Sequence, residues 1–134
     1  MSAEENRQVV GQVLAALDRS DWGALEAHPG LYETRRHYPL NKAAVPDSHH
    51  TIELEVIQND LIACVATVTG THLGPFFEVP PSGRSVSYTV LMVDRIKDGL
   101  IVQHWALPDI LSIYRQVGKP LLFEPEESTR EGRA

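Results

Sequence analysis

The sequence predicts an α+β domain, with N-terminal helices laid over one face of a strongly bent antiparallel sheet. Two observations carry this. Apolar residues recur at helical spacing as far as Leu17 and give way to two-residue alternation from Thr51. The turn signals Asn59-Asp60, Pro80-Pro81-Ser82-Gly83 and Asp98-Gly99 then divide the following chain into four β-segments joined as a meander.

Each element has its own signal. Ser2 and Glu5 have capping-box spacing, and Val9, Val10, Val13, Leu14 and Leu17 form one apolar stripe, so the chain opens as a helix. Ser20 or Asp21 can cap a second short helix, Trp22 to Ala27, which Pro29-Gly30 stops. Leu31 to Lys42 is ambiguous and can form a third short helix before Pro46. In the first strand Ile52, Leu54 and Val56 point one way, and Thr51, Glu53 and Glu55 the other. Leu61 to His72, Arg84 to Ile96 and Leu100 to Leu107 are the remaining strands, and Asp109 to Gln116 is a terminal helical turn. A bent sheet roofed by helices leaves a cavity between the two layers.

Composition narrows the class. With 134 residues, 43% of them apolar, one domain is expected, over residues 1–122. Residues 123–134 are charged and poor in apolar side chains, as in a loose tail. Twelve Lys and Arg against 18 Asp and Glu give a net charge of −6. That disfavours nucleic acid, which needs a basic surface to displace counterions, and an anionic membrane. A single cysteine, Cys64, allows neither an internal disulfide nor a Cys-rich metal site. The acidic start lacks an apolar signal core, and no apolar run approaches the roughly 20 residues that span a bilayer, so a cytoplasmic protein is expected.

Register decides which side chains face the cavity. A three-residue loop Lys97-Asp98-Gly99 with a bulge sets Met92 opposite His104, Val90 opposite Ala106 and Asp94 opposite Val102. Even-numbered residues then share the inner face: Tyr88, Val90, Met92, Asp94, His104 and Ala106, with Ala66, Val68 and His72 from the strand before. A two-residue turn would flip the last strand. An apolar bed with a few polar groups is how small-molecule sites are built. The outer face carries Leu91, Val93, Trp105 and Leu107, an apolar patch that reads as a homodimer contact.

Several segments then take on a familiar order. These are Val45-Pro46-Asp47, Gly70-Thr71-His72-Leu73-Gly74, Pro80-Pro81-Ser82-Gly83-Arg84, Arg95-Ile96-Lys97-Asp98-Gly99-Leu100-Ile101, His104-Trp105, Asp109, and Gln116-Val117-Gly118. In order and spacing they resemble the SnoaL-like polyketide cyclase family, from about Val45 to Gly118. The resemblance implies an α+β cone like that of nuclear transport factor 2, dimeric and without cofactor. Its best-known members close a ring by intramolecular aldol condensation on a polyketide ester. Others are hydroxylation partners, isomerases or proteins with no known reaction. In the aldol cyclases an Asp two residues after the strand His is the acid/base, and that position here is Ala106. A pocket His of the preceding strand corresponds to Met92.

The chemistry of such a closure is modest. The protein must hold a chain folded, remove one proton and return another. His104 is the first candidate for the shuttle, or else a structural hydrogen bonder. Asp94, diagonal to it, can orient the imidazole or pair with a helix residue. Asp109 can hold His104 or cap the last helix. His72 can donate to a substrate carbonyl or bond the Pro80-Pro81 loop. Tyr88, Val90, Met92, Ala106, Ala66 and Val68 would bind substrate, with Tyr88 more readily a packed aromatic than a proton donor. His49 and His50 are adjacent on an extended chain, point in opposite directions and lack a third partner, so no metal is expected. The reading is acid/base cyclisation or isomerisation of a hydrophobic polyketide-like molecule. Its rivals are a non-catalytic ligand binder, which Ala106 favours, and an accessory partner of an oxygenase.

Overall fold

The computed structural model describes residues 2–118, so the tail expected at 123–134 lies outside the described residues. The helix α1 covers Ala3–Asp18, and Ser2 and Glu5 form the expected capping box, each side chain bonded to the other's backbone N–H. Val10, Val13, Leu14 and Leu17 are buried along its apolar stripe. Asp21 accepts from Ala24 N–H at 3.2 Å and caps a single 3-10 turn, Trp22–Leu25. A second such turn, Pro29–Leu31, leads into α2, Tyr32–Ala44. The ambiguous segment is therefore a 13-residue helix that runs through Pro39.

Four strands follow: β1 His49–Gln58, β2 Leu61–Thr71, β3 Ser85–Lys97 and β4 Leu100–Pro108. They pair in sequence order, each antiparallel to the next, and form a curved sheet. A short helix α3, Ile110–Gln116, closes the chain's described part. Under α1 the core packs Val10, Leu14 and Leu17 against Ile62, Cys64 and Ile101. A second cluster joins Ala44, Val45, Val86 and Ile113 beneath α3. Among the described residues no helix is long and apolar enough to cross a membrane.

Two bulges correct the expected register. The β3–β4 turn is the two-residue one, with Lys97 opposite Leu100 and both Asp98 (φ 51°) and Gly99 (φ 76°) left-handed. Alone it would have turned His104 outward. Pairing then shifts at Val102: Ile96 faces Ile101, but Arg95 faces Gln103. The extra residue restores the parity. Asp94 thus lies directly opposite His104 rather than diagonal to it, and Met92 faces Ala106 rather than His104. Val90 faces Pro108 instead of Ala106. In β1 a second shift falls at Glu53, because Ile52 faces Ala66 and Leu54 faces Val65. Ile52 packs against the core, whereas Leu54 and Val56 are each 58% exposed, so the three do not share one face as the alternation had implied.

The bulge in β4 is held from below. Ile101 N–H donates to His28 Nδ1 at 2.9 Å, and Gly30 passes so close that a Cβ there would lie 2.7 Å from Gln103 N. The link between the 3-10 turns thereby fixes the strand that carries His104.

Candidate active site

The helix α1 covers only one end of the sheet's inner face. At the other end α2 stands off, and a cavity of about 330 Å³ opens between the layers. Val68, Tyr88, Val90, Met92, Ala106 and Pro108 form its floor and walls from the sheet. Thr34, His37, Tyr38 and Asn41 line it from α2. Two further imidazoles belong to the lining, His104 and His50. A neighbouring apolar hollow of about 570 Å³, against Phe76 and Phe77, shares His37 and Asn41 with it.

His104 is held by the carboxylate opposite. Its Nδ1 lies 2.6 Å from Asp94 Oδ1, and the side chains are 12% and 4% exposed. An ionised carboxylate only accepts, so Nδ1–H donates and Nε2 is the ring atom left for the cavity. A carboxylate in that position fixes the tautomer and stabilises the imidazolium that forms when Nε2 takes a proton. Short charge-assisted bonds of this kind are about twice as strong as neutral ones.

The remaining candidates separate. Asp109 is exposed and N-caps α3, its carboxylate accepting from Ser112 N–H at 3.1 Å; Asp94, not Asp109, holds His104. His72 is 1% exposed and bound to the Pro80–Ser82 loop: Nδ1 accepts from Ser82 N–H at 3.1 Å and lies 2.8 Å from Ser82 Oγ. Its Nε2 is buried with no hydrogen-bond partner among the described residues. His72 thus takes the loop-bonding role and is not among the cavity-lining residues. Ala66 is fully buried in the core under α1 instead of lining the cavity. Burial pushes the Tyr88 phenol up to about 12, which makes it a poor proton carrier at neutral pH. The Cys64 thiol is pushed up to about 11 for the same reason, as befits inert core. Among the described residues no cluster of His, Cys, Asp and Glu is arranged to hold a metal ion.

His50 was missed by sequence reasoning. The adjacent His49 drew attention to a metal, and the partner that gives His50 its meaning, Asp18, is 32 residues away on α1. The available signal was parity: His50 shares a face with Ile52, the one apolar residue of β1 ahead of the bulge.

Comparison with known proteins agrees with this architecture. The sequence profile of the SnoaL-like polyketide cyclases matches residues 9–117. Aklanonic acid methyl ester cyclase DnrD of Streptomyces peucetius is 34% identical over 80 residues, 59% of this chain and 55% of DnrD. Aklanonic acid methyl ester cyclase DauD of Streptomyces sp. (strain C5) is 32% identical over a stretch of the same length, 50% of its own chain. The matched part thus spans about half the length of these relatives. Among solved structures, TsrD from Streptomyces laurentii superposes with a TM-score of 0.80 at 26% identity, over 90% of this chain and 99% of TsrD. Helices over a four-stranded meander, an apolar cavity on its inner face and a profile match across most of the chain converge on one assignment: this protein belongs to the SnoaL-like polyketide cyclase family.

Proposed function

We propose that this protein is a cofactor-independent cyclase, which closes a ring in a hydrophobic polyketide-like ester by acid/base chemistry. The observation that carries the reading is the His104–Asp94 pair, 2.6 Å apart, on the wall of a largely apolar cavity. The names of DnrD and DauD, aklanonic acid methyl ester cyclases, support a methyl ester as the substrate class.

The step balances without a co-reactant. His104 Nε2 takes the proton from a carbon between two carbonyls, and the C–H electron pair becomes an enolate. The enolate carbon attacks a second carbonyl of the same molecule, forming the C–C bond. The oxygen of that carbonyl receives a proton and becomes a hydroxyl. Asp94 stabilises the imidazolium formed in the first step, and the apolar walls hold the chain folded. The positions that resemblance gives to an acid/base Asp and a pocket His are Ala106 and Met92, a cross-strand pair here. Both are apolar, so this part of the wall contributes shape, and removal of the carbon-bound proton falls to His104.

His104→Gln is expected to lower turnover of aklanonic acid methyl ester by about 10²-fold or more, the range for one acid/base group, with an unchanged circular dichroism spectrum. Full activity in that variant would remove the proposed shuttle. The apolar Met92–Ala106 pair also favours a second reading, a small-ligand binding protein. Tight binding of the ester by wild type, without conversion, would decide for it.

A further inference from the structure

Besides the exposed His37–Glu33 pair, the cavity holds a second buried imidazole–carboxylate pair built like the first. His50 Nδ1 lies 2.6 Å from Asp18 Oδ1, and the two side chains are 4% and 17% exposed. The backbone N–H of His50 also donates to both Asp18 oxygens at 3.2 Å. Tyr38 packs beside the ring, with centroids 6.1 Å apart. Asp18 is the last residue of α1, where the helix dipole disfavours a carboxylate, and no basic residue stands in that final turn. Its position is explained by the His50 backbone and ring groups bonded to it, and His49 Nδ1 lies 3.1 Å from Asp18 Oδ2. The backbone bonds to Asp18 already tie α1 to β1. The ring does more: it lines the same cavity as His104, with Nδ1 committed and Nε2 left to offer.

Ring closure involves two proton transfers at two different atoms, one from carbon and one to oxygen. Given the cyclase reading, on which this step rests, we infer that His50 is the second acid/base group. Carrying a proton on Nε2, it hydrogen-bonds the acceptor carbonyl and protonates that oxygen as the C–C bond forms. His104 takes the carbon-bound proton. After product leaves, His104 gives up its proton to solvent and His50 takes one, so no net proton is consumed. The His50–Asp18 pair thereby supplies what Ala106 lacks.

The two roles are separable because enolate formation precedes closure. Wild type, His104→Gln, His50→Gln and Asp18→Asn are incubated with aklanonic acid methyl ester in D₂O. Deuterium entry at the acidic carbon and appearance of the ring are both followed by NMR. His104→Gln is expected to lose exchange and closure together. His50→Gln is expected to keep exchange within about threefold of wild type while closure falls by about 10²-fold or more. Asp18→Asn should show the same split to a smaller degree, and it carries the test if His50→Gln does not fold. Closure at the wild-type rate in His50→Gln and Asp18→Asn overturns the inference, as does parallel loss of exchange and closure in folded variants. Exchange above the rate in buffer alone that persists in His104→Gln instead removes the assigned shuttle, and a wild type that binds the ester without forming the ring overturns the cyclase reading beneath it.

Discussion

At the level of single residues, the site depends on groups that never touch a substrate. Gly30 is one. A methyl group there would meet the backbone of Val102 and Gln103 at 2.7 Å, and backbone cannot swing aside as a side-chain end can. Gly30→Ala must therefore push the 3-10 link away from β4 or distort the bulge that aims His104. Overpacking of this kind costs about 1–3 kcal/mol, so a lower urea midpoint with an unchanged slope is expected. Activity should fall as well, since the strand displaced is the one that carries the imidazole. An unaltered midpoint would show that the link yields freely and does not brace the strand. Asp94 is a second such residue. Its place on the inner face and His104 as one of its possible partners were legible from alternation, but not the directly opposed geometry, because one bulge residue decides whether Asp94 faces His104 or Val102.

Among the elements, legibility follows how local the determining interaction is. The capping box of α1, the Asp21 cap and the β-meander are set by residues close in sequence, and all could be read directly. The bulges could not, since Val102 and Glu53 carry no turn residue to mark them. The expected three-residue loop and the actual two-residue turn plus bulge give His104 the same side by different routes. Nor could α2 be read in full, because Pro39 argues against a helix that packing nevertheless completes. The pairing of His50 with Asp18 depends on how α1 lies across β1, which no local pattern encodes. The link before α2 adds a pH dependence. Burial holds the His28 imidazole below its usual pKa, with the nearby Asp94 charge a smaller, opposing influence. Its Nδ1 also accepts from Ile101 N–H and is lost as an acceptor on protonation. The folded chain therefore binds this proton more weakly than the unfolded chain. The stability His28 contributes is complete above the unfolded value near 6.5 and is lost as pH falls through the lowered folded value. In His28→Asn, whose amide oxygen can take the place of Nδ1, the drop in melting temperature from pH 7.5 to pH 5.5 should be smaller than in wild type. An identical drop would assign the dependence to other groups.

At the scale of the whole molecule, one face is left bare by the described residues. On the back of the sheet, Leu54, Val65, Leu91 and Leu107 lie in one cross-strand row, and Val56, Ala63, Val93 and Trp105 in the next. The Glu53 bulge is what brings Leu54 and Val56 to this side, so the patch reaches across all four strands rather than the two expected. Trp105 is 49% and Leu107 71% exposed, which in water is a standing cost that burial against a partner would remove. A second copy of the chain is the partner proposed, because one continuous apolar patch can meet the same patch of another copy about a two-fold axis. Stable pairs of this kind bury about 800 Å² on each side. A charge at the centre of the patch would have to be desolvated in both copies at once. Trp105→Glu should thus give a monomer by sedimentation velocity at concentrations where wild type sediments as a dimer, while circular dichroism stays unchanged. The cavity lies on the opposite face of the same strands, so this monomer should still bind the ester. A wild type that sediments as a monomer, or a variant that remains a dimer, would place any interface elsewhere.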